Sequence, residues 1–146
     1  MEHLEYPTEK SIEKLCRDLG LKNPDEYSQN WANEAIIEDC RIEELVRYYQ
    51  DNELDNETKF TLMILIINLL NDMLGEGKYV SNEICDDVSY ILLKESEIHS
   101  NTISYWSMED EKDLEYAFPV TPYMRIVLSK ITQKARYSDS GKDRCN

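Results

Sequence analysis

The chain has only two histidines, His3 and His99, so imidazole chemistry has few places to arise. His99 follows Glu95 by four positions, the spacing that sets two side chains on one face of a helix. A carboxylate so placed can orient an imidazole as a general base. The blander alternative, a surface pair near a helix C-terminus, is the expectation. His3 falls in a terminal segment expected to be mobile. Carboxylates supply the other reactive groupings. Asp51, Glu53, Asp55 and Glu57 alternate like hard-cation ligands, and Asp86 and Asp87 adjoin. The first group lacks the central glycine and the terminal glutamate that an EF-hand loop requires. Solvated helix ends account for both groups. GxSxG, HExxH, the Walker glycine loop and the dinucleotide fingerprint are all absent from the sequence. Four glycines in total leave little material for a phosphate cradle. No catalytic residue, metal-ligand set or cofactor is predicted, and the chain is not expected to be an enzyme.

Cys16, Cys40, Cys85 and Cys145 are widely spaced, without a CxxC pair. Their even number would suit two disulfides in a secreted protein. Three of them instead fall at apolar positions of predicted helices, where a free thiol packs as a small hydrophobe. With no signal-peptide pattern at the start, the expectation is reduced thiols, buried at Cys16, Cys40 and Cys85, in a cytoplasmic protein.

A different grouping occurs at residues 105–122, YWSMEDEKDLEYAFPVTP. The aromatic pair Tyr105 and Trp106 precedes five carboxylates, Glu109, Asp110, Glu111, Asp113 and Glu115, against the single cation Lys112. Aromatic anchors rimmed by charge are the composition of a protein-binding surface. Other tyrosines (Tyr48, Tyr49, Tyr116, Tyr123) are read as core-edge residues with the hydroxyl in water. The competing reading of 105–115 is an irregular loop kept in water by its acids, with Trp106 sealing one end of the fold.

Charge strengthens the binding reading. The net charge is −14, more than a solubilising surface needs. The last 24 residues carry +4, which leaves −18 on residues 1–122. Phosphate backbones repel such a body, so direct nucleic-acid binding is not expected. A basic protein partner is the natural complement.

The elements that must position these groups follow from apolar spacing. A chain of 146 residues suggests one domain, able to bury roughly 70% of its unfolded surface without a metal or disulfide staple. Thr8 caps a predicted helix whose inner face is Ile12, Leu15, Cys16 and Leu19, ended by Gly20. Pro24 opens a second, with Tyr27 and Trp31 on one face. Asp39 is predicted to cap a third, facing inward through Ile42, Leu45, Val46 and Tyr49. Asp55 caps the fourth and most apolar helix. Its polar stripe is Thr61, Asn68, Asn71 and Asp72, and Gly75 and Gly77 end it. A helix apolar on its other sides belongs in the middle of a bundle. A membrane span needs about 20 apolar residues, and Asn68 interrupts this run, so no membrane role is expected. Ser81 caps a fifth helix with Ile84, Cys85, Val88, Ile91 and Leu92 inward. Residues 101–105 show no helical period and read as extended. Thr121 and Pro122 serve as N-cap and first residue of a last helix, with Met124, Val127, Leu128 and Ile131 inward. The prediction is a single-domain all-α bundle of five to six helices over residues 1–136. An irregular acidic segment precedes the last helix, and 137–146 form a disordered tail.

Four stretches taken together, RIEELVRYY, ETKFTLMILIINLLND, HSNTISYW and FPVTPYMR, cover residues 41–125 discontinuously. In that order they resemble a group of small acidic bacterial proteins associated with immunity proteins of contact-dependent and other polymorphic toxin systems. None of the four is a catalytic motif, so the resemblance carries over no functional residue. It implies a toxin-neutralising binding protein and nothing more specific; the basic toxin domain expected as partner follows from the charge, and the cytoplasm from the thiols. The acidic body independently suits a basic cleft built for nucleic acid. The alternative is a regulatory or adaptor bundle, monomeric or homodimeric, that takes a partner helix in a groove.

Overall fold

A computed structural model describes Leu4, residues 6–22, Trp31 and residues 37–144, with 135–144 described by their backbone only. The described residues form six α-helices and no strand. They are α1 (Glu9–Leu19), α2 (Ile42–Asp51), α3 (Asn56–Gly75), α4 (Asn82–Lys94), α5 (Ser96–Ser107) and α6 (Thr121–Arg144). Short 3₁₀ turns at Asp39–Arg41 and Leu114–Tyr116 precede α2 and α6. The all-α bundle is as expected.

Local chemistry explains most of the boundaries. Thr8 and Ser11 form a reciprocal capping box at the start of α1. Gly20 then takes the left-handed conformation, φ 67°, and Leu21 N–H donates to the Cys16 carbonyl. Asp55 accepts from Thr58 N–H at 2.8 Å, and Ser81 accepts from Ile84 N–H at 3.2 Å. Asp39 does not cap α2 as expected. It belongs to the 3₁₀ turn, and its carboxylate pairs with Lys78. The helix predicted from Pro24 lies outside the described residues except for Trp31, which is buried.

α3 is the axis of the bundle and packs against α1, α2 and α5. By length and composition it could cross a membrane. Here Phe60, Leu62, Met63, Leu65, Ile66, Ile67 and Leu70 are each at most 2% exposed against neighbouring helices. Its polar stripe is divided: Thr61 and Asn71 bond to neighbouring elements, Asn68 donates within its own helix, and Asp72 is exposed. Thr61 is fully buried, its hydroxyl 2.7 Å from that of Ser11 on α1. Asn71 Oδ1 accepts from Val120 N–H at 3.1 Å, which ties α3 to the start of α6. These bonds satisfy polar groups that would otherwise be costly inside the fold.

Two expectations are corrected near the C-terminal half. Residues 101–105 are not extended but helical, the second half of α5. Thr121 does not cap α6. Its hydroxyl donates to the Trp106 carbonyl at 2.7 Å, and the Val120 carbonyl accepts the first N–H, from Met124. The backbone of α6 is helical through Arg144.

Candidate functional site

The irregular acidic segment is shorter than expected, and it is an ordered turn. α5 ends at Ser107, and Met108 takes the left-handed conformation with φ 43°. A non-glycine residue there carries strain, so something must hold it. Arg125, one turn into α6, does so. Its Nε donates to the Ser107 carbonyl at 2.7 Å, and its Nη2 donates to the Met108 and Glu111 carbonyls, each at 2.6 Å. One planar guanidinium thus collects three carbonyls from the end of a helix and the turn beyond it. A lysine ammonium, a point charge, cannot reproduce that fork.

Two carboxylates then shape the chain after the turn. Glu111 Oε1 accepts from Asp113 N–H at 3.1 Å, and Asp113 Oδ1 accepts from Glu115 N–H at 2.9 Å, opening the 3₁₀ turn. Glu109, Asp110 and Glu115 project as exposed side chains. None of the five carboxylates is ion-paired among the described residues. Arg125 spends its donors on carbonyls rather than on carboxylates, so the acids form no ion pair with it, while its charge and that of Lys112 offset part of their field.

The aromatic pair divides. Tyr105 is 60% exposed. Trp106 is 6% exposed, its ring centroid 4.7 Å from that of Phe118. Tyr105 lies edge-on to Trp106 at 5.1 Å and tilted against Phe118 at 5.6 Å. Trp106 is therefore a core residue and not the accessible anchor that the sequence suggests. Leu114 and Tyr116, 53% and 71% exposed, take its place as apolar groups beside the acids. Sequence reasoning missed Leu114 because it stands alone among charges. It also assigned Tyr116 to the core edge.

A second constellation lies at the other end of α5. His99 is fully buried, contrary to the surface pair expected. The Tyr49 hydroxyl donates to Glu95 Oε1 at 2.8 Å and stands 2.9 Å from His99 Nε2. Lys59 Nζ donates to Glu95 Oε2 at 2.6 Å. Three helices and the α4–α5 junction meet in this network. Burial pushes the His99 pKa down to about 4 and outweighs the pull of Glu95. Burial also raises the Tyr49 phenol, as does its bond to Glu95. For Glu95 burial acts upward, but the Lys59 and Tyr49 hydrogen bonds prevail and hold the carboxyl below its usual range. The imidazole has no open face toward a substrate, so the geometry does not make it a general base.

Cys16 is buried and Cys85 half-buried, and burial raises both thiols. Cys40 is exposed, which corrects the expected buried position: it sits on the 3₁₀ turn before α2, not on a helix face. Cys145 lies outside the described residues. Of the carboxylate groups, Asp55 is a helix cap. Among the described residues no three His, Cys, Asp or Glu side chains converge as a metal-ligand group. An open depression of about 400 Å³ adjoins Cys40, Ile42, Met73, Tyr79 and Ile84.

Comparison of the chain with protein-family models, with curated proteins and with solved structures finds no match.

Proposed function

We propose that this chain is a non-catalytic binding protein of the immunity kind, which neutralises a bacterial toxin in the cytoplasm by occupying a basic domain of it. The observation that carries the reading is the Arg125 clamp. It fixes a turn whose five carboxylates stay unpaired among the described residues, and it fixes that turn beside exposed Tyr105, Leu114 and Tyr116. Holding such a loop before the partner arrives reduces the ordering cost of association. The unpaired acids supply long-range attraction to a cationic cleft, and the apolar side chains supply contacts that slow release. The acidic body and the resemblance of residues 41–125 to toxin-immunity proteins support the same reading.

The test uses the C-terminal domain of the protein encoded directly upstream of this chain's gene, purified with any catalytic residue replaced. Surface plasmon resonance should show a complex whose association rate falls steeply with salt. The Glu109→Gln, Asp110→Asn, Glu115→Gln triple variant should associate at least tenfold more slowly at low salt. A partner that binds with wild-type rate and salt slope to the triple variant would move the site away from this loop. A partner that is a regulatory helix would favour the adaptor reading.

A further inference from the structure

The Tyr49–His99–Glu95–Lys59 network has no part in the binding surface, and its hydrogen-bond logic is one-directional. Ionised Glu95 only accepts, so the single Tyr49 proton goes to Glu95 Oε1. The Tyr49 oxygen must then accept from His99, which places the imidazole proton on Nε2. The free lone pair is left on Nδ1, which is buried and has no hydrogen-bond partner. The titratable groups facing His99 are Tyr49 from α2, Lys59 from α3 and Glu95 at the head of α5.

We propose that His99 is an acid-sensitive latch: proton uptake at Nδ1 places a charged donor without an acceptor inside the joint of α2, α3 and α5, and releases α5 from the bundle. Neutral imidazole tolerates this site because an unpartnered acceptor costs less than an unpartnered charge. The depressed basicity of the buried ring agrees with that cost. Lys59 adds repulsion toward an imidazolium, and Glu95 offsets part of it while already occupied by two donors. α5 runs from this joint to Tyr105 and the Arg125-held turn, so opening would also disorganise the proposed docking surface. That last step rests on the binding reading, whereas the latch itself does not.

The experiment therefore uses the free protein. Amide hydrogen exchange of α5 is followed from pH 7 to pH 5, corrected for intrinsic exchange, together with the His99 imidazole resonances. For a histidine of ordinary value when unfolded, the wild-type α5 protection factor should fall roughly twentyfold over that interval. His99→Gln, which cannot gain the charge, should hold its protection nearly constant. Equal losses in the two proteins would overturn the latch, as would a His99 resonance titrating at or above pH 6.5. Should His99→Gln fail to fold, the wild-type resonance alone still decides.

Discussion

Arg125 Nε donates to the Ser107 carbonyl at 2.7 Å, so a residue of α6 closes the C-terminus of α5. The last carbonyls of a helix lack intrahelical partners, and cationic donors there also complement the helix dipole. The same guanidinium reaches past the helix end to Glu111, which turns a capping contact into a brace for the loop.

The first prediction concerns that brace. Arg125→Lys should leave the fold intact but lose two of the three carbonyl contacts. Stability should fall by about 1.5–3 kcal/mol, the range for hydrogen bonds to a charged group. Limited proteolysis between Met108 and Asp113 should accelerate well beyond what the global loss explains. Cleavage that tracks global stability alone would show that the loop keeps its shape without the fork.

The second concerns Trp106 and Tyr105. Trp106→Ala should cost about 3–5 kcal/mol in urea unfolding, because it removes a buried ring packed on Phe118. Tyr105→Ala should cost less than about 1.5 kcal/mol, since most of its surface is already in water. Similar losses at the two sites would place Tyr105 in the core and remove it from the docking surface.

These two residues also show where the sequence was legible. α1, α3 and α4 were readable because apolar types occupy their inward positions and Thr8, Asp55 and Ser81 mark their starts. The latter half of α5 was not. The buried residues of α5 are His99, Thr102, Ile103, Trp106 and Ser107, a regular helical spacing in which three of the five are polar. A periodicity that counts only apolar types loses its signal there, and the segment reads as extended. The acids of the candidate site were legible as composition. Their brace was not, because Arg125 meets the loop only through tertiary packing, and its partners are carbonyls that carry no residue identity.

The third prediction concerns the helix at the centre. Leu65→Asp should destabilise by more than about 4 kcal/mol, or abolish folding, by burying an unpaired charge. Asn68→Ala should cost about 1 kcal/mol, because its amide donates to the Ile64 carbonyl within its own helix. Equal losses would mean that Asn68 carries more of the packing than its half-buried position implies.

The fourth concerns the thiols. Among the three described thiols, Cys40 should react first with a thiol reagent in the native protein, Cys85 more slowly and Cys16 only on unfolding. Burial both blocks access to Cys16 and disfavours its thiolate. Peptide mapping after timed labelling gives the order. Rapid labelling of Cys16 without denaturant would show that the α1 face opens locally.

The last prediction concerns acid stability, and its sign follows from the two depressed groups of the network. The folded His99 pKa, about 4, lies below the ordinary 6.5, so the unfolded chain binds the proton more readily. Its contribution is then full above pH 6.5 and is lost as pH falls toward 4. Glu95 acts in the same direction, because its carboxyl is also held below its ordinary value, and its contribution disappears at lower pH still. Tyr49→Phe separates the two. Without the hydroxyl, Glu95 loses one donor and His99 Nε2–H loses its acceptor, so the variant should be about 1–3 kcal/mol less stable at pH 7. Burial of the imidazole remains, so the loss between pH 6.5 and 5 should persist in Tyr49→Phe and vanish in His99→Gln. Urea midpoints across pH 4.5 to 7.5 measure all three proteins. A steep loss that survives in His99→Gln would assign the acid sensitivity to carboxylates elsewhere on this acidic chain.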